Sequence, residues 1–250
     1  MGLFDKVKEP VFLKESSLAR EQLTELTALS KKIPSSAKNM FERDLRLLKA
    51  GIFGEDYIAF ELKNSHMPMW VIHDLYLEHE GFTAQIDYLI ITKKRFFILE
   101  CKNLLGNIEI NSNGDFSRTF EGGKDEGLYS PIALNRRHME LIKTIREDSR
   151  KNVLTQALMH EIFYNDWRSV VVMANPKTYL NSKFTKEEIK DQVIRADQLV
   201  NYIQKANAEK HAESVSESVA EKFANFMLGL HKECPKELVD KYKEIIKNAE

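Results

Sequence analysis

Cysteine is nearly absent: Cys101 and Cys234 stand far apart among 250 residues, in no paired motif. That excludes a disulfide framework and a thiolate zinc site, and it fits a reducing compartment such as the cytoplasm. No run approaches the roughly 20 apolar residues of a membrane span, so no membrane partner is expected. The first residues, Met1-Gly2-Leu3-Phe4-Asp5-Lys6, lack the apolar core of a signal peptide. Neither sign of charge is in excess, since 37 basic side chains face 38 acidic ones for a net charge of -1. A protein that coats nucleic acid is usually basic, so any such surface here must be local. An enzyme needing only a short contact is still admitted. Gly-X-Ser-X-Gly and phosphate-binding P-loop motifs are missing, which removes support for a serine hydrolase or an NTPase. His160-Glu161 is followed by Asn165 and not by a histidine at the next helical turn, so it is no zinc-protease helix.

What is present is ordinary for a globular chain: 43% hydrophobic and 30% charged residues. The length suits one sizeable α/β domain with additions, or two small domains. Leu18, Leu23, Leu26 and Leu29 predict a helix capped by Ser16-Ser17, and residues 37–63 predict another, bent near Gly51 and Gly54. Met69–Leu77, Thr83–Thr92 and Arg95–Lys102 read as strands, with shorter ones at Gly106–Ile110 and Asp115–Phe120. Glu121–Ser130 reads as a loop, and Pro131 opens a helix to about Lys151. A helix at Val153–Tyr164 and a doubly buried strand at Val170–Met173 follow, then helices near 197–205, 212–230 and 236–248. The order predicts an α/β fold with a mixed central β-sheet flanked by helices, and extra helices at both ends. The expected division is an N-terminal helical extension at 1–35, a central domain at 36–175 and a C-terminal helical region at 176–250.

The chemistry gathers on one hairpin. If Lys93-Lys94 is a two-residue turn, opposed residue numbers total 187, so Asp87 faces Glu100 and Gln85 faces Lys102. Opposed side chains share a face, and the period of two puts Glu100 and Lys102 on one face with Cys101 on the other. Two opposed carboxylates repel, and each raises the pKa of the other. A divalent cation relieves that conflict, and so does Lys102; Mg²⁺ is the natural candidate, with Mn²⁺ as its substitute. Lys-Lys is nonetheless a poor two-residue turn, which normally wants Asn-Gly or Asp-Gly. Phe41, Leu45, Leu48, Ile52, Ala59 and Leu62 fall in steps of three or four along one helix, and Glu55 lies in that stripe. A carboxylate in a buried stripe needs a partner.

The strings Gly54-Glu55, Gln85-Ile86-Asp87-Tyr88 and Leu99-Glu100-Cys101-Lys102-Asn103 resemble the nuclease-related domain (NERD) family over roughly residues 48–175. That family is similar to the PD-(D/E)XK phosphodiesterases, which implies a restriction-endonuclease-like core. By this resemblance Asp87 is the family's aspartate, Glu100-Cys101-Lys102 its Glu-X-Lys, and Glu55 its helical glutamate. Asp87 and Glu100 would bind Mg²⁺, with the Cys101 backbone carbonyl as third ligand. Lys102 would orient the attacking water, and Glu55 would hold a metal-bound water or a second ion. Leu134 stands where the family often has a glutamine, ahead of Asn135-Arg136-Arg137-His138.

The implied function is metal-dependent hydrolysis of DNA phosphodiester bonds. A non-catalytic nucleic-acid-binding or interaction module with the same core competes with it. A third reading makes Asp87, Glu100 and Lys102 a salt-bridged cluster at a sheet end. Gln85, the hairpin-tip residues Lys93 and Lys94, and Arg136 and Arg137 on the long helix are the candidate nucleic-acid contacts. The terminal regions either cover the core, gate substrate or form a homodimer.

Overall fold

The computed structural model describes residues 7–120, 123, 125–149, 165–210 and 212–249. Among these, ten strands form: β1 (Pro10–Lys14), β2 (Met69–His79), β3 (Phe82–Ile91), β4 (Phe96–Lys102), β5 (Asn107–Ile110), β6 (Phe116–Thr119), β7 (Asp125–Leu128), β8 (Trp167–Met173), β9 (Tyr179–Asn181) and β10 (Val193–Arg195). Seven α-helices accompany them: α1 (Leu18–Leu29), α2 (Lys38–Lys63), α3 (Pro131–Asp148), α4 (Glu187–Lys190), α5 (Leu199–Ala208), α6 (Glu217–Gly229) and α7 (Glu237–Lys247). The main sheet runs β1-β2-β3-β4-β8-β10, and a smaller one runs β7-β6-β5-β9. The β2–β3–β4 stretch is antiparallel, whereas β4–β8, β8–β10 and β1–β2 pair in parallel. This is a mixed α/β fold with a nuclease-like central sheet.

The β3–β4 hairpin keeps the register that a two-residue turn demands, with Tyr88 opposite Leu99 and Ile91 opposite Phe96. The Lys93-Lys94 turn succeeds without Asn-Gly chemistry because Thr92 replaces it. The Thr92 hydroxyl accepts from the N–H of Lys94 (3.2 Å) and of Arg95 (2.9 Å), and the Thr92 N–H donates to the Arg95 carbonyl (2.9 Å).

Both faces of the sheet are covered. On one face, Ile72, Leu89, Ile91 and Ile98 pack under Ile142 and Met139 of α3 and Ala224 and Met227 of α6. On the other, Val71, Ile90, Phe97 and Leu99 meet Ile58 and Leu62 of α2 and Leu199 and Ile203 of α5. Each such side chain buried whole stabilises the fold by about 1.5–3 kcal/mol. Val170 and Val172 are fully buried, as the apolar run at 170–173 predicts. The small sheet packs Ile108, Ile110 and Phe116 against Val171 and Met173. A fourth cluster joins α1 and α7 to the first half of α2 through Leu26, Phe41, Val239 and Tyr242.

The helix at 38–63 runs unbroken through Gly51 and Gly54. α3 is capped by Ser130 with Pro131 at its start, and it ends at Asp148 rather than near Lys151. The segment read as a loop at 121–130 carries β7, the first 35 residues carry β1 besides their helix, and β9 and β10 lie where only helices were expected. These strands have three to five residues, too few for a period of two to show. The helix expected at Val153–Tyr164 lies outside the described residues, as do Arg150 and Lys151. No helix among the described residues is long and apolar enough to cross a membrane.

Candidate functional site

The β2–β3 ribbon kinks where the site lies. Ile72 and Leu75 face the same core, as do Ile86 and Leu89, so alternation breaks once on each strand. Asp74 marks the break on β2 with a left-handed backbone, φ 52°, which a non-glycine residue seldom adopts. On β3 the break falls at Asp87. The β3–β4 ladder ends at Tyr88–Leu99, and the Asp87 carboxylate takes over the next position. Its Oδ2 accepts the Cys101 N–H at 2.6 Å. In an extended strand the N–H and C=O of one residue point to the same edge, so the Cys101 carbonyl also faces the Asp87 side.

Glu100 and Lys102 lie on the α3 face at the end of β4, between β3 and β8. Glu100 is buried, and its Oε1 accepts from Lys102 Nζ at 2.5 Å. Burial pushes the Asp87 carboxyl well above its ordinary range, and the charges of Glu100 and Glu55 push it further. Burial also raises Glu100, against the pull of Lys102. Burial pulls the Lys102 ammonium down, but Glu100 and Asp87 outweigh it and leave Lys102 above its ordinary value, firmly charged. The Cys101 thiol is raised well above its usual value by burial, so it stays protonated and is no nucleophile.

Glu55 comes from α2 on the other face. The glycine before it explains the Gly-Glu pair physically. A Cβ at Gly54 would sit 2.7 Å from Asn103 Cβ and 3.1 Å from Cys101 Sγ, so only glycine lets α2 close onto the end of β4. Asn103 ties the same contact by donating to the Ala50 carbonyl at 2.6 Å. The motif residues around 54 and 101–103 are therefore one packing unit.

Two residues that the sequence reading passed over belong here. His73, buried on β2, places Nε2 2.9 Å from Glu55 Oε2 and stacks on Tyr88 at 4.5 Å. Its signal was a His-Asp pair inside an otherwise apolar strand. His138 on α3 is buried, and burial together with the Arg137 and Lys102 charges lowers it to about 4, so its ring is neutral. Next to Leu134, Asn135 is fully buried and donates to the Ile98 carbonyl at 2.9 Å, bridging α3 to β4.

Other expected contacts lie apart. Gln85 is exposed and donates to Asp74 Oδ1 at 2.8 Å; the kink at Asp87 turns it away from Lys102. Lys93 and Lys94 sit at the far end of the hairpin. The six residues from Lys94 to Glu100 span roughly 20 Å at about 3.3 Å each. Lys94 Nζ donates to the Asn207 carbonyl (3.0 Å), and the Lys93 carbonyl accepts from the Val215 N–H (2.8 Å). Arg136 and Arg137 are exposed on α3, and only Arg137 joins Lys102 in acting on His138. Among the described residues, the His/Cys/Asp/Glu group with ligand atoms within 4.8 Å of one another is His79, Glu80 and Asp148, at the opposite end of β2. Asp87, Glu100 and Glu55 are instead each held by a protein donor: the Cys101 N–H, Lys102 and His73.

No curated protein and no solved structure matches the chain. The family model described as nuclease-related domain matches residues 50–174, half of the chain, from the helix turn before Gly54 to the end of β8. That span contains Glu55, the kinked ribbon and the Glu100-Cys101-Lys102 strand end, and the chain belongs to the nuclease-related domain family.

Proposed function

We propose that this chain is a metal-dependent nuclease that hydrolyses phosphodiester bonds of DNA. One observation carries the reading: Glu55, Asp87, Glu100 and the charged Lys102 gather where β3 and β4 part, and burial, with neighbouring carboxylate charge added, raises both Asp87 and Glu100. The donors are hard oxygens, which suits Mg²⁺ or Mn²⁺. Asp87, Glu100 and the Cys101 carbonyl would hold the ion, with Glu55 beside them. When bound, the metal polarises the scissile phosphate and lowers the pKa of a water.

The chain's own groups do the remaining work. Lys102 is one strand step from Glu100 and keeps its charge, so it faces the phosphate oxygens and stabilises the charge that develops there. Asn135 and Gly54 hold the strand end between α3 and α2, which fixes the spacing of the acids. The N-terminal end of α3 lies over the ends of β4 and β8, because Ile132 packs with Val171 and Met173. Its dipole favours a phosphate, and Arg137 adds charge near it. Helices α5 and α6 pack on the main sheet, and α1 and α7 pack against the first half of α2, so the terminal regions help to close the core.

Incubation of supercoiled plasmid and single-stranded DNA with Mg²⁺ or Mn²⁺ tests this reading. Nicking or degradation that stops with a chelator is the expected result. Salt-sensitive DNA binding without cleavage would favour the non-catalytic module, in which each acid remains committed to its protein donor.

A further inference from the structure

Residues 14–18 lie outside the family-matched span, yet they converge on the kink that carries the site. His73 Nδ1 lies 3.1 Å from the Glu15 carbonyl, while Nε2 lies 2.9 Å from Glu55 Oε2. The ring is 5% exposed and nearly parallel to Tyr88, at 11°. Tyr88 in turn donates its hydroxyl to the Glu55 carbonyl at 2.8 Å, so both the backbone and the carboxylate of Glu55 are tied to this pair. Lys14 Nζ donates to the carbonyls of His73 (3.0 Å) and Asp74 (2.8 Å), and Asp74 Oδ2 accepts the Leu18 N–H at 2.6 Å. The same short segment therefore fixes the His73 ring and the backbone on which it stands.

We propose that His73 is a positioning residue for Glu55, oriented by the Glu15 carbonyl, so that the N-terminal segment completes the site from outside the nuclease-related domain. The inference rests on reading Glu55, Asp87 and Glu100 as a metal-dependent nuclease site. A glutamate on a helix has several rotamers, and its carboxylate must be aimed before it can hold a water or an ion. The His73 bond takes Oε2 and leaves Oε1 for a ligand. Hydrogen bonds one shell away from a metal commonly set ligand orientation in this way.

The test compares the full chain with His73→Asn and His73→Gln. Asparagine keeps the bond to Glu15 but is too short for Glu55, whereas glutamine reaches Glu55. The expected result is a fall in kcat of about 10-fold or more in H73N with KM within about twofold, and recovery to within about threefold in H73Q. Calorimetric titration of Mn²⁺ into the metal-free chains should give the same order of affinities. Equal kcat and Mn²⁺ affinity in wild type and H73N overturn the inference, and so does H73Q as impaired as H73N. If H73N does not fold, His73→Leu, which keeps the volume, takes its place. If wild type does not cut DNA, the nuclease reading fails by itself. The Mn²⁺ series then decides: weaker binding in H73N with recovery in H73Q supports positioning, and equal binding overturns it.

Discussion

Lys102→Ala lowers the rate of DNA cleavage by at least about 100-fold, the cost of removing one pre-aimed donor from a developing oxyanion, and leaves the fold intact. Lys102 is partly exposed at the end of β4, and among the described residues its ammonium bonds Glu100, so its removal opens no core cavity. What it does remove is a cation that Glu100 and Asp87 both feel. Without it the two acids repel more strongly, so metal binding tightens or holds while turnover collapses. Single-turnover cleavage at saturating Mn²⁺, beside thermal unfolding, separates these effects. Loss of cleavage together with loss of fold would make Lys102 a structural residue.

Asp87→Asn should abolish cleavage and at the same time make the metal-free protein more stable at neutral pH. The sign follows from linkage. Burial and the charges of Glu100 and Glu55 raise the folded-state pKa of Asp87 well above its model value of 3.8. The folded state therefore holds a proton that the unfolded chain releases. The stability this contributes is complete below about 3.8 and is lost as pH rises through the folded value. As pH rises, the ionised, buried form of Asp87 becomes a net cost to the fold. Asparagine keeps an oxygen for the Cys101 N–H and carries no charge to desolvate. A gain of about 1 kcal/mol or more would raise Tm by roughly 2–4 °C in a chain of this size. The gain should be largest near pH 7 and vanish on acidification toward pH 4, where the two proteins converge. Glu100 is raised by burial as well and is coupled to Asp87, so the difference between the two pH profiles reports Asp87 together with that coupling. A variant less stable than wild type at pH 7 would mean that Asp87 is a structural anchor for β4 and not a destabilised acid awaiting a cation.

Much of the site could be read before the fold was known, because it depends on local periods. The hairpin register follows from a period of two and a two-residue turn, and it holds from Ile91–Phe96 to Tyr88–Leu99; the direct opposition of Asp87 to Glu100 lies beyond that ladder, where the Asp87 carboxylate meets the Cys101 N–H. Glu55 was found by the helical stripe that runs through it. What was hidden is tertiary. The kink at Asp74 and Asp87 breaks alternation without changing the count of residues, so Gln85 was assigned to the neighbourhood of Lys102 although it bonds Asp74. His73 was passed over because its meaning comes from Glu15 and Glu55, which are distant in sequence. Lys93-Lys94 looked like a poor turn because the Thr92 hydroxyl that stabilises it sits just outside the two turn residues. The four short strands β1, β7, β9 and β10 exist because a neighbouring strand offers an edge, which no local pattern reveals.

Titration of Mn²⁺ into the metal-free chain, wild type beside Glu100→Gln, tests the central claim most directly. If the carboxylates at the parting of β3 and β4 form a metal centre, wild type binds Mn²⁺ and gains thermal stability with concentration, as any ligand selective for the folded state requires. Glu100→Gln should bind about 10-fold or more weakly, in the range by which altered metal-site groups reduce affinity. Equal binding by the two proteins, or binding lost only when His79 or Asp148 is replaced, would contradict the account.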